Sequence, residues 1–507
     1  MTAPKSNKKP HDLASEPTRF GSRMNVGKHL RRWAPPVVLG LISLVTWQVA
    51  YDLDSDEASV ERVDHGAVLA TPMLSARRIP QTLQAPVVDD GLIPAISKAA
   101  TDLPETSCLA VENSGRLLSP DKNIDTPFLP ASNQKVLTTF SALEMLGPDF
   151  QYETVVRADG SPAAGVVEGN LYLVGSGDPY LSTADWWTQY DDLDGRFNTS
   201  LGELADRVVE SGITTVNGGI IGDESRYDAV RSGPWPQRHL NSQQSGPLSA
   251  LVVNEGFTAW PPEHPGSARN RIQADNPPLH AAEVFSSLLI ERGITIVGAP
   301  DAGAAPASAG DITSILSPPL QEIITHINSY SSNLGAELVL KELGKSFEGE
   351  GSTVVGAQVV RAALEAAGVS TNGLVIEDGS GLGDNNRLTC RTLLDVLHVA
   401  GPHSSLSDSM AIGSVRGSLK NHFIGTPAEG VVQAKTGTLD DALALSGYVS
   451  STTDSDVVLT FSYVANEELI ISRSDVIRAL AEELLVALAS YPGLPSVDSL
   501  SPLAPSG

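Results

Sequence analysis

The sequence predicts an α+β fold in which one antiparallel sheet, flanked by helices, is assembled from segments that lie far apart in the chain. Two observations predict it. A strand, a turn at Ser114-Gly115 and a second strand begin the globular part, and three more strands occur near its end. Between them, residues 150–315 hold many short strand-like segments separated by Gly-rich turns, which indicates an inserted α+β domain.

The remaining elements follow from helical periodicity and helix-stop residues. Apolar residues at 136, 137, 140, 143 and 146, followed by Gly147, predict a helix that begins beside Ser132. The other predicted elements are helices at 93–100, about 200–211 and about 280–292, a surface loop at 258–278, helices from Pro319, at 354–367 and at 391–399, a strand at 374–377, strands at 431–436, 444–450 and 457–464, and a helix at 471–489. These elements divide the globular part into a main domain at 91–149 and 316–490 and an insert at 150–315, followed by a flexible tail at 491–507.

Composition bounds the class of protein. The chain has 507 residues, enough for two or three domains, and its 41% hydrophobic content is that of a globular protein. Its formal net charge is −26, although residues 1–32 carry eight basic residues against two acidic ones. The folded part should therefore repel nucleic acid, and no nucleic-acid partner is expected.

Residues 33–51 contain no charged residue and are just long enough to cross a bilayer. A basic tail precedes them and acidic residues follow them, which predicts a cytoplasmic N-terminus and an exported remainder. The segment is either a transmembrane signal anchor or a cleaved signal peptide. Residues 52–90 mix acidic residues with Pro and Gln and read as a flexible linker.

Two cysteines, Cys108 and Cys390, are too few for a disulfide scaffold or a Cys-based metal site. In an oxidising compartment they either pair or lie buried as free thiols, and the sequence leaves both possibilities open. No histidine spacing suggests a metal site, so none is predicted.

The first candidate motif is Ser132-Asn133-Gln134-Lys135. One helical turn separates Ser132 from Lys135, which places an amine near a hydroxyl at a helix N-terminus, where backbone N–H groups can hold an oxyanion. The pattern alone is weak, because Ser6-Asn7-Lys8-Lys9 in the polar tail also matches it. If the match at Ser132 also arises by chance, Ser132 is only an N-capping residue of the helix.

Two further motifs follow in order. Ser331 and Asn333 lie two residues apart in a small polar loop between apolar helices, where a helix-capping turn is the plain alternative. Lys435-Thr436-Gly437-Thr438 lies on a predicted strand, and glycine there permits close approach of another backbone or a ligand. Ser-x-x-Lys, Ser-x-Asn and Lys-Thr-Gly form the signature set of penicillin-recognising serine enzymes, and here all three occur in the right order.

With these motifs, residues 93–490 resemble the D-alanyl-D-alanine carboxypeptidase/endopeptidase class (class C) of low-molecular-mass penicillin-binding proteins. Further stretches that carry the resemblance are Phe128–Asn133, Gly177-Asp178-Pro179 and Glu377-Asp378-Gly379-Ser380-Gly381-Leu382. The resemblance implies the transpeptidase fold shared with serine β-lactamases, a large insert, and cleavage of peptidoglycan stem peptides without cofactor or metal. It also implies acylation by β-lactams.

Each motif has an expected role. Ser132 is the nucleophile, Lys135 accepts its proton because burial beside Lys435 disfavours a charged amine, and Ser331 relays the proton to the leaving D-alanine. Asn333 is expected to bind the substrate amide.

The third motif is expected to bind the terminal carboxylate through Lys435, Thr436 and Thr438, with Gly437 between them. By resemblance, backbone N–H groups of Ser132 and Thr438 form the oxyanion hole. Asp178 is expected either to reach the amino-bearing side chain of the peptide or only to stabilise a turn.

One stretch departs from the family. Many relatives continue after Gly381-Leu382 with Ser-Arg, whose arginine binds the stem peptide, whereas here Gly383-Asp384-Asn385-Asn386-Arg387 follows. Asp384 reverses the charge, and Arg387 is the candidate substitute.

Two alternatives remain open, a serine β-lactamase and a non-catalytic cell-wall binding protein of the same fold. The long insert disfavours the first, and the intact motifs disfavour the second. The sequence does not distinguish carboxypeptidase from endopeptidase action or give the oligomeric state.

Overall fold

A computed structural model of the protein describes residues 91–189, 197–260 and 271–492, all within the compact unit Ile79–Gly507. The predicted basic tail, the apolar segment at 33–51 and the linker at 52–90 lie outside the described residues, as does nearly all of the C-terminal tail. Within the described ranges, none of the helices combines the length and the apolar character that crossing a bilayer requires.

The predicted α-helices have bounds close to those expected, whereas three short helices, at Ala184–Trp187, Gln237–Asn241 and Ser405–Ser409, were not predicted. The α-helices are α1 Ile93–Asp102, α2 Gln134–Leu146, α3 Ala184–Trp187, α4 Leu201–Glu210, α5 Gln237–Asn241, α6 Pro277–Glu291, α7 Leu320–Tyr330, α8 Asn333–Glu348, α9 Thr353–Ala366, α10 Cys390–Ala400, α11 Ser405–Ser409 and α12 Ser474–Ala489. Short 3₁₀ helices occur at Ala131–Asn133, Asn254–Gly256, Gly417–Leu419 and Ile470–Arg473.

Most strands of the main domain have seven to nine residues, and most strands of the insert have two to four. The strands are β1 Ser107–Asn113, β2 Arg116–Lys122, β3 Glu153–Ala158, β4 Val166–Val167, β5 Leu171–Val174, β6 Leu181–Ser182, β7 Thr199–Ser200, β8 Thr215–Val216, β9 Ile220–Asp223, β10 Phe257–Ala259, β11 Ile272–Gln273, β12 Thr295–Ile296, β13 Asp301–Ala302, β14 Gly310–Leu316, β15 Ala411–Ile412, β16 Val432–Leu439, β17 Ala442–Ser450 and β18 Val458–Asn466.

The main sheet joins the two ends of the globular part, as predicted. Its strand order is β15-β16-β17-β18-β1-β2, and each neighbouring pair is antiparallel. Side chains alternate between its faces. Leu109, Leu445 and Tyr463 pack on the outer face with α1 and α12, whereas Ala110, Ala444 and Val464 face the central helices. Helix α2 is enclosed by that inner core, and every residue from Gln134 to Leu143 is buried.

Cys108 and Cys390 form a disulfide that joins β1 to the start of α10. Both residues are fully buried. The structure therefore decides between the two possibilities that the sequence left open, in favour of pairing.

The insert has its own core between two small sheets and the helices α4 and α6. A five-stranded sheet has the order β13-β9-β5-β3-β14, and a three-stranded parallel sheet has the order β12-β8-β4. Glu153 of β3 pairs with Leu316 of β14, so the chain enters and leaves the insert on neighbouring antiparallel strands. This pairing brings the two ends of the insert close together, so the two segments of the main domain that flank the insert lie near each other.

Two predicted elements differ in the structure. The strand predicted at 374–377 does not form: only a single bridge joins Val375 to Arg387, because the side chains of Asn386 and Asp378 accept from the backbone N–H groups that follow and hold the chain in a loop. The segment predicted as a loop at 258–278 is partly a hairpin, since β10 pairs with β11. Residues 261–270, between those strands, are outside the described ranges.

Candidate active site

Ser132 lies in the 3₁₀ turn Ala131–Asn133 that leads into α2, so the helix begins next to it as predicted. Ala131 has a positive φ of 48°, an uncommon conformation for a residue with a Cβ atom. One turn later, Lys135 places its Nζ 3.0 Å from Ser132 Oγ. The hydroxyl of a partly exposed serine is thus paired with the amine of a fully buried lysine.

The surroundings of Lys135 favour a neutral amine. Burial lowers its pKa to about 7, although the carboxylates of Asp378 and Glu337 act in the opposite direction. Its Nζ also lies 2.7 Å from Asn333 Oδ1 and 2.6 Å from the Ser380 carbonyl oxygen. These contacts hold the amine in one position beside the Ser132 hydroxyl.

Ser331 and Lys435 form a second hydroxyl–amine pair. Ser331 lies between α7 and α8 in the left-handed conformation, with φ 61° and ψ 40°. Lys435 donates from Nζ to Ser331 Oγ at 3.0 Å and to the Thr436 carbonyl oxygen at 2.8 Å. Burial, reinforced by nearby Lys135, lowers the pKa of Lys435 well below its usual value. The two buried lysines thus lie close enough for the charge of one to disfavour a charge on the other.

Asn333 connects the site to the insert. It is the first residue of α8, whose start is capped by the Ser332 hydroxyl accepting from Gly335 N–H. While its Oδ1 contacts Lys135, its Nδ2 donates to the Gln244 carbonyl oxygen at 2.7 Å. The insert therefore forms one wall of the site.

Two buried carboxylates that sequence reasoning missed support this centre. Glu337 Oε1 accepts from the backbone N–H groups of Gly379 at 3.1 Å and Ser380 at 2.8 Å. This pairing fixes the loop whose Ser380 carbonyl accepts from Lys135. Burial and the nearby carboxylate of Asp378 raise the pKa of Glu337 to about 8. The sequence did contain a signal for this residue, because Glu337 is the acidic residue in an otherwise apolar stretch that directly follows the Ser-x-Asn motif.

Asp378 organises the same loop from its other side. It accepts from the backbone N–H groups of Gly381 at 2.8 Å and Gly383 at 2.6 Å, and from the Trp235 indole of the insert at 3.0 Å. Burial raises the pKa of this carboxyl, against the effect of these donors. The Glu377–Leu382 stretch that identified the family is thus the support on which Lys135 rests.

The side chains of the Lys-Thr-Gly strand alternate between the two faces of the sheet. Lys435 and Gly437 face inward, toward the turn that holds Ser132, because a Cβ on Gly437 would lie 2.9 Å from the Pro130 carbonyl oxygen. Thr436 and Thr438 emerge on the outer face, in the same alternation as Ala434. Strand β15 pairs only with Gln433 and Ala434, which leaves this part of β16 at the edge of the sheet. That the two hydroxyls share one carboxylate with Lys435 stays a prediction.

Asp178 is placed differently from the other candidates. Its side chain is 3% exposed, its Oδ1 accepts from Tyr180 N–H at 2.9 Å, and its Oδ2 accepts from the Thr199 hydroxyl. Burial raises its pKa to about 6. Among the described residues, no hydrogen bond or ion pair joins it to Ser132 or the two lysines. This geometry favours the turn-stabilising role over direct contact with a substrate.

The negative charge of Asp384, which departs from the family pattern, is balanced by an arginine of the insert. Arg238 of α5 donates to Asp384 Oδ2 at 3.0 Å and lies 3.5 Å from Asp440, just beyond β16. Arg387, the expected substitute, turns away and donates to the backbone carbonyl groups of Asp384 and Asn386 at 2.7 Å. The cation beside this loop therefore comes from a segment that no motif predicted.

The assembled groups can perform acyl transfer. A neutral amine can accept the Ser132 proton, a second hydroxyl–amine pair can pass a proton to a leaving group, and a helix start offers N–H groups for an oxyanion.

Comparison with known proteins agrees with this chemistry. The chain matches the sequence model of the D-Ala-D-Ala carboxypeptidase 3 (S13) family over residues 94–268 and 261–484. A D-alanyl-D-alanine carboxypeptidase from an Actinomadura strain is 30% identical over 439 residues, covering 72% of this chain and 77% of that protein. Carboxypeptidase DacB from Mycolicibacterium smegmatis is 29% identical, covering 77% of this chain and 86% of that protein.

The predicted fold is also confirmed. The crystal structure of penicillin binding protein 4 from Haemophilus influenzae superposes with a TM-score of 0.64 at 21% identity, covering 78% of this chain and 98% of that one. The superposition shows the fold, and the family match covers most of the described residues, including all three motifs. The chain therefore belongs to the D-Ala-D-Ala carboxypeptidase 3 (S13) family.

Proposed function

We propose that the protein is a serine-type D-Ala-D-Ala carboxypeptidase that trims peptidoglycan stem peptides through an acyl-enzyme on Ser132 and is acylated by penicillin. The observation that carries this proposal is the 3.0 Å contact between Ser132 Oγ and a buried amine, Lys135, whose pKa is lowered to about 7. Family membership and the names of the relatives support the same activity.

In the acylation step, Ser132 Oγ attacks the carbonyl carbon of the penultimate D-alanine while Lys135 takes the hydroxyl proton. The resulting oxyanion accepts from the N–H groups of Ser132 and Thr438. Ser331, held by Lys435, relays this proton from Lys135 to the nitrogen of the terminal D-alanine as the C–N bond breaks, which leaves Lys135 neutral again. Neutral Lys135 is what makes the first proton transfer possible, because an ammonium group has no acceptor lone pair.

Binding and deacylation use the same groups. Asn333 binds the amide of the acyl part, and Lys435, Thr436 and Thr438 bind the carboxylate of the departing D-alanine. Water then attacks the ester carbonyl and gives a proton to neutral Lys135, and Lys135 passes this proton to Ser132 Oγ as the ester C–O bond breaks, which restores the hydroxyl. Asp178 supports the insert rather than touching substrate.

The site works outside the cytoplasm in this proposal. The buried disulfide between Cys108 and Cys390 is typical of an oxidising compartment, and stem peptides are components of the cell wall. Residues 33–51 serve as the membrane anchor or as a signal peptide. The N-terminal sequence of the protein isolated from membranes tests this: a start at Met1 indicates an anchor, and a start beyond residue 51 indicates cleavage.

Release of D-alanine from a stem pentapeptide tests the activity. Ser132→Ala should lower the rate by more than about a thousandfold, because it removes the nucleophile. Ser6→Ala, which disrupts the second Ser-x-x-Lys of the chain, is the matched control and should leave the rate unchanged. Equal rates for Ser132→Ala and wild type would favour the non-catalytic binding protein.

The lifetime of a penicillin adduct separates the peptidase from a serine β-lactamase. Mass spectrometry of the intact protein should show penicillin bound to Ser132 for many minutes. Turnover within seconds would favour the β-lactamase instead. The Haemophilus influenzae structure, which shares this fold, has also been solved in complex with a β-lactam.

A further inference from the structure

Helix α8 carries two glutamates whose side chains are fully buried, Glu337 and Glu342. The carboxylate of Glu342 has a cationic partner. Arg226 of the insert donates to it through Nη2 at 2.5 Å and through Nε at 2.8 Å, and the Tyr227 hydroxyl donates at 2.7 Å. Because a buried carboxylate with such donors stays charged, Glu342 is an anion that holds the insert against α8.

Glu337, which precedes Glu342 on the same helix, has no such partner. Its Oε1 accepts from the backbone N–H groups of Gly379 at 3.1 Å and Ser380 at 2.8 Å. Its Oε2 is buried and has no hydrogen-bond partner among the residues that the structure describes. No cation within the described ranges forms an ion pair with either oxygen. A charge here would lose its hydration without compensation, which favours the protonated acid.

The neighbouring carboxyl of Asp378 acts in the same direction. Asp378 accepts from four donors, which are two backbone N–H groups, the Trp235 indole and the Asn386 amide. When two carboxyl groups share a buried site, one of them is protonated, and the group with fewer donors is the one that takes the proton. The charge therefore belongs to Asp378 and the proton to Glu337, in agreement with the raised pKa of Glu337.

A second buried oxygen accounts for the place of this proton. Ser380 Oγ also has no hydrogen-bond partner among the described residues, and the Ser380 side chain lies beside the Glu337 carboxyl. A carboxylate oxygen can only accept a hydrogen bond, whereas a protonated Oε2 can donate one to the serine oxygen. A proton on Oε2 thus lets these two buried atoms satisfy each other.

The charge of Glu337 matters because Lys135 lies on the other side of Ser380. The Ser380 carbonyl oxygen accepts from Lys135 Nζ at 2.6 Å, while the Ser380 N–H group donates to Glu337. Negative charge on Glu337 or Asp378 raises the pKa of Lys135. Since each pKa unit changes the ratio of neutral to charged amine about tenfold, a second carboxylate here would oppose the use of Lys135 as a base.

We propose that Glu337 is a positioning residue that works as a neutral acid: it holds the Ser380 loop under Lys135 through Oε1 and carries a proton on Oε2 that keeps a second negative charge away from the amine. A permanently charged side chain at this position would hold the loop but favour the ammonium form of Lys135. An apolar side chain would leave the amine neutral but would not hold the loop. The proposal rests on the proposed function, in which Lys135 is the base.

Infrared spectroscopy of the folded protein at pH 7 tests the proton directly, because a protonated carboxyl group has a carbonyl stretching band that a carboxylate lacks. Subtracting the spectrum of Glu337→Gln from that of wild type should leave this band. Glu342→Gln, the same substitution at the other buried glutamate of α8, is the matched control, and its difference spectrum should not contain the band. Absence of the band from the Glu337→Gln difference spectrum would overturn the proposal.

The rate of acylation by a fluorescent penicillin tests the effect on Lys135. Glu337→Leu removes the acceptor for the loop and should lower this rate about a hundredfold, the effect of a misplaced catalytic group. Glu337→Gln should recover most of this loss, because its amide oxygen can still accept from Gly379 and Ser380, and its acylation rate should rise with pH around the same midpoint as in wild type.

Two results of the acylation assay would contradict the proposal. A midpoint for Glu337→Gln more than one pH unit below that of wild type would mean that Glu337 is charged in the native protein. A rate for Glu337→Gln that is far below wild type, in a variant whose thermal unfolding is unchanged, would mean that a neutral side chain does not suffice. A wild type that penicillin does not acylate would instead refute the proposed function, while the infrared difference still tests the proton on Glu337.

Discussion

Substitution of Gly437 by alanine gives the sharpest test of how the sheet positions Ser132. A Cβ at this position would lie 2.9 Å from the Pro130 carbonyl oxygen, 3.1 Å from Ala444 Cβ and 3.2 Å from Ala131 Cβ. The Pro130 carbonyl also accepts from Asn133 N–H at 3.2 Å, which closes the turn that contains the nucleophile. The turn must therefore move by a few tenths of an ångström.

The size of the effect follows from these contacts. Overpacking of this kind typically destabilises a protein by about 1–3 kcal/mol. Misplacement of a catalytic group by about 1 Å can cost about a hundredfold in rate, so a shift of a few tenths should cost about tenfold. The rate of acylation by a fluorescent penicillin measures the second effect, and thermal unfolding measures the first.

Gly310→Ala is the control, because a Cβ on this strand residue of the insert meets no atom within 4 Å. It should change neither acylation nor stability. Wild-type acylation by Gly437→Ala would refute the claim that the inner face of β16 sets the position of Ser132. A loss of stability with unchanged acylation would refute it equally.

Three further predictions concern the rest of the structure. Because the pKa of Lys135 is about 7 rather than 10.5, its amine is protonated below pH 7 and free to accept a proton above it, so the acylation rate should rise with pH through about 7; a rise centred near pH 10 would contradict this assignment. Replacing both Cys108 and Cys390 by serine should lower the free energy of unfolding by about 2–5 kcal/mol in denaturant titration, whereas an unchanged midpoint would mean that the disulfide does not constrain the fold. Asp228→Ala removes the partner of Lys341, which is 1% exposed, and should destabilise the contact between insert and α8 by about 3–5 kcal/mol; limited proteolysis should then cut the insert sooner, and wild-type resistance would count against this contact as an anchor.

The sequence determined the local parts of this site because their signals are local. Helical periodicity and a terminal glycine placed α2 and its start near Ser132, and the order of three short motifs named the family. Alternation along β16 also implies that Lys435 and Thr436 face opposite sides of a sheet. The strand predicted at 374–377 was wrong because a run of three apolar residues, Leu374-Val375-Ile376, is a weak signal against a loop that the side chains of Asp378 and Asn386 hold in place.

Only the tertiary structure decided the contacts between those segments and the environment of each side chain. The lowered pKa of Lys135 depends on burial, and its position depends on Glu337 and the loop at Ser380, which are distant in sequence. The same is true of Arg238, which reaches Asp384 from the insert, and of the disulfide. Periodicity reports the path of one segment, whereas burial, electrostatic environment and contacts between remote segments exist only after the chain has folded.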